Sequence, residues 1–408
     1  LIKKTKVTLD FLKDNIIVNH FKYYFFILLL LVINTQTQRI YSINKETPPK
    51  LLVTPTGRIT MDAALFIEDK TELSNGVAFS NIRLGIKSDY DKWKLKIDIS
   101  FTNEKLTPKD VYVKYHFTKK SLLTIGHFLE PFGLEAIQGA SKRSFFTSSV
   151  STEAFKPGRK LGISYTHYNP FFWNEIGFFG DGKSMKNKYE GDDGYSITSR
   201  IVFNPIQKAG SFFHIGLAGS YRKADANGID EETNKKNPKE IIYSSPLLTQ
   251  VKKKDFLSAT ITNANYQAKY TIELLSAYGP IAFQGEYFHS TIKRHLGLTS
   301  YQANGVYAQL SYLILGDSYT YSSDRARPGK RKPKELEVAL RYNYTDLNCN
   351  KSNIFGGRSS DWSLAVNYQL NNYISFKLNY SYIKLGKHTP LAAGEKINLF
   401  QARALYIF

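Results

Sequence analysis

Apolar and polar residues alternate along this chain with a period of two, over and over, from about residue 57 to its end. Trp93, Leu95, Ile97, Ile99 and Phe101 are interleaved with Lys94, Lys96, Asp98 and Ser100. Leu336, Val338, Leu340, Tyr342 and Tyr344 alternate with Glu335, Glu337, Arg341 and Asn343. Ile374, Phe376, Leu378, Tyr380 and Tyr382 alternate with Ser375, Lys377, Asn379 and Ser381. A period of two places each set on one face of a strand. Each run is about ten residues, the length a tilted strand needs to cross a bilayer. We count roughly sixteen such runs, with no helical segments to cover their apolar faces. In lipid every backbone N–H and C=O needs an internal partner, so such a sheet must close on itself. The predicted fold class is therefore all-β: a transmembrane antiparallel β-barrel of about sixteen strands.

The connections alternate in length. Tight ones, such as Tyr90–Lys92 and Asn371–Asn372, suit periplasmic turns. Long polar ones, such as Ala224–Lys239 and Asp317–Pro333, suit extracellular loops. Tyrosine (28) and phenylalanine (27) are abundant, as expected of strands that end at a lipid–water interface. Near the start, the apolar run Phe25–Ile33 follows a basic stretch and precedes the polar Asn34–Gln38. It is too short to span a bilayer and reads as a secretory signal peptide. The expected division is an N-terminal extension and signal peptide over 1–42, a periplasmic lead-in over 43–56, and the barrel over 57–408. The last residues, Phe400 to Phe408, form a strand with a terminal aromatic. Such a strand can present its edge to outer-membrane assembly machinery.

A formal net charge of +20 calls for an anionic partner. The stretch Gly126–Gly162 breaks the alternation for about thirty residues, and loops of that length usually have a function. It carries Lys142, Arg143, Lys156, Arg159 and Lys160 against Glu130, Glu135 and Glu153. We expect it to fold into the lumen and form a cationic constriction, a plain surface loop being the other possibility. By strand parity, Arg58, Arg83, Lys87, Lys94, Lys96 and Lys114 face the lumen if Ile59, Met61, Ile82, Leu84 and Ile86 face lipid. The candidate anion-binding residues are thus Lys142, Arg143, Lys156 and Arg159 on the loop, and Arg58, Arg83, Lys87 and Lys114 on the wall. Each wall cation could instead pair with a lumenal carboxylate, and Arg159 could tie the loop to the wall. Arginine can grip an oxyanion with two N–H groups, whereas lysine acts as a mobile point charge. Several weak sites in series pass an ion that one deep site would trap.

Two blocks in that stretch carry a family resemblance. Gly126-His127-Phe128-Leu129-Glu130-Pro131-Phe132 and Ala154-Phe155-Lys156-Pro157-Gly158-Arg159, with Leu161-Gly162 behind, resemble the pore-constricting third loop of the phosphate-selective porins O and P. Weaker similarity extends from Gly57 to Phe408. The resemblance implies passive diffusion of small anions, phosphate or phosphorylated solutes, through a homotrimer in the outer membrane of a Gram-negative bacterium. Family members often carry an arginine pair just before their x-Arg-Leu-Gly block. Here Ser80 and Asn81 precede Ile82-Arg83-Leu84-Gly85, so two expected cations are missing.

No cofactor or metal is expected. Cys349 is the only cysteine, and no two histidines stand at i, i+4. No local motif of a hydrolase or nucleotide-binding enzyme occurs, and the expected protein is not an enzyme. A barrel-borne lipid hydrolase with a Ser–His pair is one alternative, although Ser164 and His167 fall on opposite faces. A secreted all-β protein that binds acidic polymers is the other. The basic runs Lys252–Lys254 and Lys330-Arg331-Lys332-Pro333-Lys334 are read as solvated loop ends, or as contacts with lipopolysaccharide phosphates. Outer-membrane lipid and lipopolysaccharide are the expected surroundings, and nucleic acid is not expected as a partner.

Overall fold

The computed structural model describes residues 49–102, 106–180, 192–226, 228–230, 232–251 and 254–408. The expected signal peptide lies outside the described residues, as do Lys252 and Lys253.

Strands follow one another from β1 (Leu52–Glu68) and β2 (Gly76–Tyr90) through β3 (Trp93–Ser100), β4 (Thr107–Thr118) and β5 (Ser121–Leu129). After the segment 130–158 come β6 (Arg159–Tyr168), β7 (Phe172–Gly180), β8 (Tyr195–Lys208) and β9 (Ser211–Lys223). The next connection holds the short β10 (Asp225–Ala226), β11 (Ile229–Asp230) and β12 (Lys235–Lys236), then the hairpin β13 (Lys239–Pro246) and β14 (Asp255–Thr262). The wall resumes with β15 (Ala264–Tyr278), β16 (Ile281–Arg294) and β17 (Tyr301–Leu315). A further connection carries β18 (Tyr321–Ser322) and β19 (Arg327–Pro328). The wall then ends with β20 (Glu335–Cys349), β21 (Ile354–Gln369), β22 (Ile374–Leu385) and β23 (Lys396–Ile407).

Sixteen of these strands form one closed barrel, β1 to β9, β15 to β17 and β20 to β23. Every neighbouring pair is antiparallel, and β23 pairs with β1 from Arg58↔Ile407 to Glu68↔Ile397. Closure removes the sheet edge that would otherwise leave backbone groups unpaired in lipid. At the seam, Gly57 and Phe408 exchange both backbone hydrogen bonds, at 2.9 and 3.1 Å. The Phe408 ring lies so close over Gly57 that a Cβ there would sit 2.1 Å from its Cζ. Strand β1 starts at Leu52, not at Gly57. Residues 52–56, expected as lead-in, pair with β2 alone, because the chain ends at Phe408, opposite Gly57, before reaching them.

The alternation sorts residues as the sequence suggests. Ile59, Met61, Leu65, Leu84, Ile86, Leu364 and Leu378 are exposed on the outer face, whereas Asp62, Glu273, Arg341 and Arg403 point inward and are buried. One irregularity keeps β2 in phase. Thr60 faces Asn81 but Met61 faces Phe79, so Ser80 is the extra residue of a bulge. Without it, outward Phe79 and outward Leu84 would demand opposite faces.

The connections divide between two ends of the barrel. The chain ends and the tight turns, such as Asp91 with its φ of 50°, share one end. Counting strands places the connections 69–75, 130–158, 224–263 and 386–395 at the other. By the same count, the connection 316–334 lies at the turn end. This corrects the expectation that Asp317–Pro333, being long and polar, joins the extracellular loops. Length alone does not give sidedness, and this segment is long because it folds inward.

Candidate functional site

Among the described residues, segments from opposite ends meet in the lumen. From the loop end, residues 130–158 cross the bore and dock on the far wall. Glu130 accepts from Thr198 Oγ1 on β8 at 2.7 Å. The backbone N–H groups of Leu134 and Glu135 both donate to the Glu286 carboxylate on β16, at 2.6 and 2.8 Å. Gln138 donates to Gln284 at 2.8 Å. Glu135 accepts from Ser149 N and Thr152 Oγ1, at 2.9 and 2.8 Å, and pairs with buried Arg341 at 3.3 Å. Ser149 caps the helix Val150–Phe155 by accepting from Thr152 N. Arg403, paired with Asp62 at 2.6 Å, also donates to Phe146 O at 2.9 Å.

Apolar packing completes the docking. Phe132 and Phe155 are fully buried, and Phe155 stacks on Phe288 at 5.7 Å and meets Tyr243 of β13 at 5.6 Å. The conspicuous residues of the two blocks, Glu130, Phe132 and Phe155, therefore seat the loop. Gly158, with φ of 79°, turns the chain back into β6.

From the turn end, residues 316–334 rise to meet that loop. Arg327 donates to Ile137 O at 2.5 Å. Arg331 contacts Ser144 Oγ at 3.2 Å and pairs with Glu337. Arg200 donates to Ala326 O at 2.8 Å while pairing with Glu273 at 2.6 Å. His214 binds Tyr321 Oη and Glu273, at 2.9 and 2.8 Å.

These dockings fill the lumen along β8, β9 and β15 to β23, where inward residues such as Lys269, Glu273, Arg341 and Lys377 are buried. Along β1 to β6 the smaller inward residues, such as Thr60, Asp62, Thr124 and Ser164, are buried, but the inward cations Arg58, Arg83, Lys96, Lys114 and Arg159 are only half-buried and Lys87 is exposed. The candidate residues distribute over that difference. Arg58 and Arg83 are direct cross-strand neighbours. Arg58 donates to Asn81 Oδ1 from Nε and Nη2, at 3.2 and 3.1 Å. Arg83 pairs with Asp98 at 3.2 Å. Lys87 is exposed, stands opposite Lys96 and has no ion pair among the described residues. Lys114 lies over the Tyr112 ring at 5.3 Å. Lys94 pairs with Asp89 at 3.2 Å near the turn end.

On the loop the four candidates separate. Lys156 pairs with Glu153 at 2.5 Å. Arg159 pairs with Asp110 of β4 at 2.7 Å, and the same carboxylate takes Lys96. Arg143 donates to Ser148 Oγ at 2.8 Å. Burial pushes its guanidinium below its ordinary range, although Glu135 and Glu153 act in the opposite direction.

Lys142 alone of the four has no side-chain partner among the described residues. Burial, then the guanidiniums of Arg327 and Arg325 and the Lys330 ammonium, push its ammonium down to about 8. Burial and Arg325 likewise bring Arg327 down to about 10. Lys142, Lys330 and Arg331 line one cavity together with Glu335 and Glu337. Arg325 and Arg327 escaped the sequence reading because their segment was assigned to the outside. Strand counting was the signal that could have found them.

The hydrolase alternative gains little from the geometry. Ser164 donates to Glu175 at 2.7 Å. His167 instead meets Ser121 at 2.8 Å on the outer face near the turn end, with no carboxylate on its other nitrogen among the described residues. Among the described residues no His/Cys/Asp/Glu group is arranged to hold a metal ion.

Comparison with known proteins agrees with this architecture. The family described as phosphate-selective porin O and P matches residues 53–408. Porin O of Pseudomonas aeruginosa is 22% identical over 351 residues, covering 78% of this chain and 79% of that protein. Among solved structures, an anion-selective porin from Comamonas acidovorans superposes with a TM-score of 0.57 at 13% identity, covering 88% of this chain and all (100%) of that one. The trimer form of OmpT from Vibrio cholerae gives a TM-score of 0.57 at 11% identity, covering 88% and 99%.

Proposed function

Since this chain belongs to the phosphate-selective porin O and P family, we propose that it passes small anions through the narrow part of its bore by passive diffusion. It is a porin of a Gram-negative outer membrane. The observation that carries the anion reading is the meeting of Lys142 with Arg325, Arg327 and Lys330 in the lumen. Across from them stand Arg58, Arg83, Lys87, Lys96, Lys114 and Arg159 on the open wall. The acids on that side, Asp98 and Asp110, are already engaged by cations.

An anion entering there exchanges part of its water for N–H donors that are held in place beforehand. Each contact is worth about a few kcal/mol at most at an intermediate dielectric, which lets the ion leave again. The Arg58 and Arg83 guanidiniums supply forked donors, and Lys87, Lys114 and Lys142 supply mobile charge. Phosphate or phosphorylated solutes fit this chemistry. Asn81, where relatives often have arginine, supplies an acceptor that holds Arg58 instead of a further cation, so general anion preference is favoured over strict phosphate selectivity.

Among the described residues the bore contains nothing arranged for catalysis, and we read the protein as a channel and not an enzyme. A homotrimer is the assembly we propose, supported by the OmpT structure described as a trimer. Reconstitution in planar bilayers under a potassium chloride gradient tests the reading. A reversal potential of the anion-preferring sign is expected, with chloride current reduced by added phosphate. A cation-preferring reversal potential would overturn it. Multi-angle light scattering in detergent tests the trimer, and a monomer mass would remove it.

A further inference from the structure

On the outer face of the barrel, far from the bore, three cations cluster at the loop end of β21 to β23. Lys384 on β22 stands directly opposite Lys396 on β23. Arg358 on β21 occupies the neighbouring outward position, diagonal to Lys384, because Ser360 is the direct partner of Lys384. All three are exposed. Like charges directly opposite one another on a sheet face repel. Neither lysine has a carboxylate partner among the described residues. Glu395, next along the chain, is occupied by Thr71 and the backbone of Lys70. Asp346, opposite Arg358, accepts from Asn348 N and Tyr344 Oη, and both Asp346 and Tyr344 also interact with the Arg358 guanidinium. The Lys384 ammonium rests over the Tyr382 ring at 5.5 Å.

A second feature lies beneath on the same strands. Below the lysines runs an aromatic belt, Tyr382 with Trp362 and then Tyr380 with Phe400. Below that, Ala402 faces Ala63 and Ala404 faces Met61. These small side chains recess the wall into an apolar groove of ≈ 490 Å³, flanked by Leu65, Leu378, Tyr380 and Phe400. A second groove, of ≈ 400 Å³, continues it past Phe376 and Ala404. From Lys384 to Leu378 is about 20 Å along the strand, at ~3.3 Å per residue. At a tilt of about 40° that is roughly 15 Å of depth, about half the hydrocarbon core.

We propose that this face holds one phosphorylated, multiply acylated glycolipid of the outer leaflet. Its phosphate would sit on Lys384, Lys396 and Arg358, and one acyl chain would lie in the trough. The two lysines, which no carboxylate neutralises among the described residues, select a phosphate-bearing headgroup over a zwitterionic one. The recessed wall selects an acylated ligand over free phosphate. The proposal depends on the outer-membrane location and not on which ions cross the bore.

Native mass spectrometry of the purified full-length protein, released from detergent with added lipid A, is the test. The comparison arms are dephosphorylated lipid A, phosphatidylethanolamine and inorganic phosphate. Retention of lipid A alone is expected. The double variant Lys384→Gln/Lys396→Gln should weaken that retention about tenfold or more. Ala402→Leu, which fills the trough on a lipid-facing position, should weaken it as well. Both variants should keep the heat-modifiable migration of a folded barrel and the wild-type reversal potential. Equal retention of dephosphorylated lipid A, or an unaffected double variant, would overturn the proposal. So would loss of the oligomer in Ala402→Leu, since the trough would then be a contact between copies of the chain.

Discussion

Lys142 is the residue on which the electrostatics of the bore converge. Its ammonium is held down to about 8 by burial and by the neighbouring Arg327, Arg325 and Lys330 cations. A lowered lysine is charged below that value and neutral above it. Anion preference should therefore fall as the pH rises through about 8, read as a shift of reversal potential between pH 7 and pH 9. Lys142→Gln should abolish this titration. Lys142→Glu should cost roughly fivefold in the anion-over-cation permeability ratio, equivalent to about 1 kcal/mol. Asp110 works in the opposite sense, because it neutralises both Arg159 and Lys96. Asp110→Asn should raise anion preference, again read from the reversal potential, while loosening the C-terminal root of the loop.

For the elements, the docking of 130–158 matters most. Glu286 receives two backbone N–H groups of the loop and the Tyr307 hydroxyl. Glu286→Ala would leave those buried donors without a partner, at about 1–3 kcal/mol each. The sheet does not depend on them, so the barrel should persist while single-channel conductance rises and becomes noisy. Replacing residues 320–329 with a short glycine–serine linker should also raise conductance and lower anion preference, because Arg325 and Arg327 leave with it. The sequence showed the loop 130–158 through its broken alternation and its two blocks. It left open that Arg159 ties the loop to the wall, but it could not name the partner, because Asp110 is distant in sequence. It also misplaced 316–334, because a polar connection reads alike whether it faces water outside the barrel or inside it. Lys142, by contrast, was singled out with its three loop neighbours and is the one that meets the second segment.

For the whole molecule, closure is the governing fact, and most of it was legible. Period-two patterning gave the strands, their number and the inward direction of Arg58, Arg83, Lys87 and Lys114. The bulge at Ser80 was not legible, because one extra residue leaves each flanking run looking regular. The seam between Gly57 and Phe408 makes its own prediction. Gly57→Leu would drive a side chain into the Phe408 ring. It should slow the appearance of the heat-modifiable folded band during refolding into detergent, while Gly57→Ala should do so less.

Arg327 reaches Ile137 from below, so the throat is assembled from opposite shores. Before the last strand seals against the first, no throat exists, and a half-built cylinder would leak without discrimination. Once sealed, neither side of the cell envelope owns the gate. A protease shaving the bacterial surface could clip the outer contributor, yet the inner one would still guard the passage.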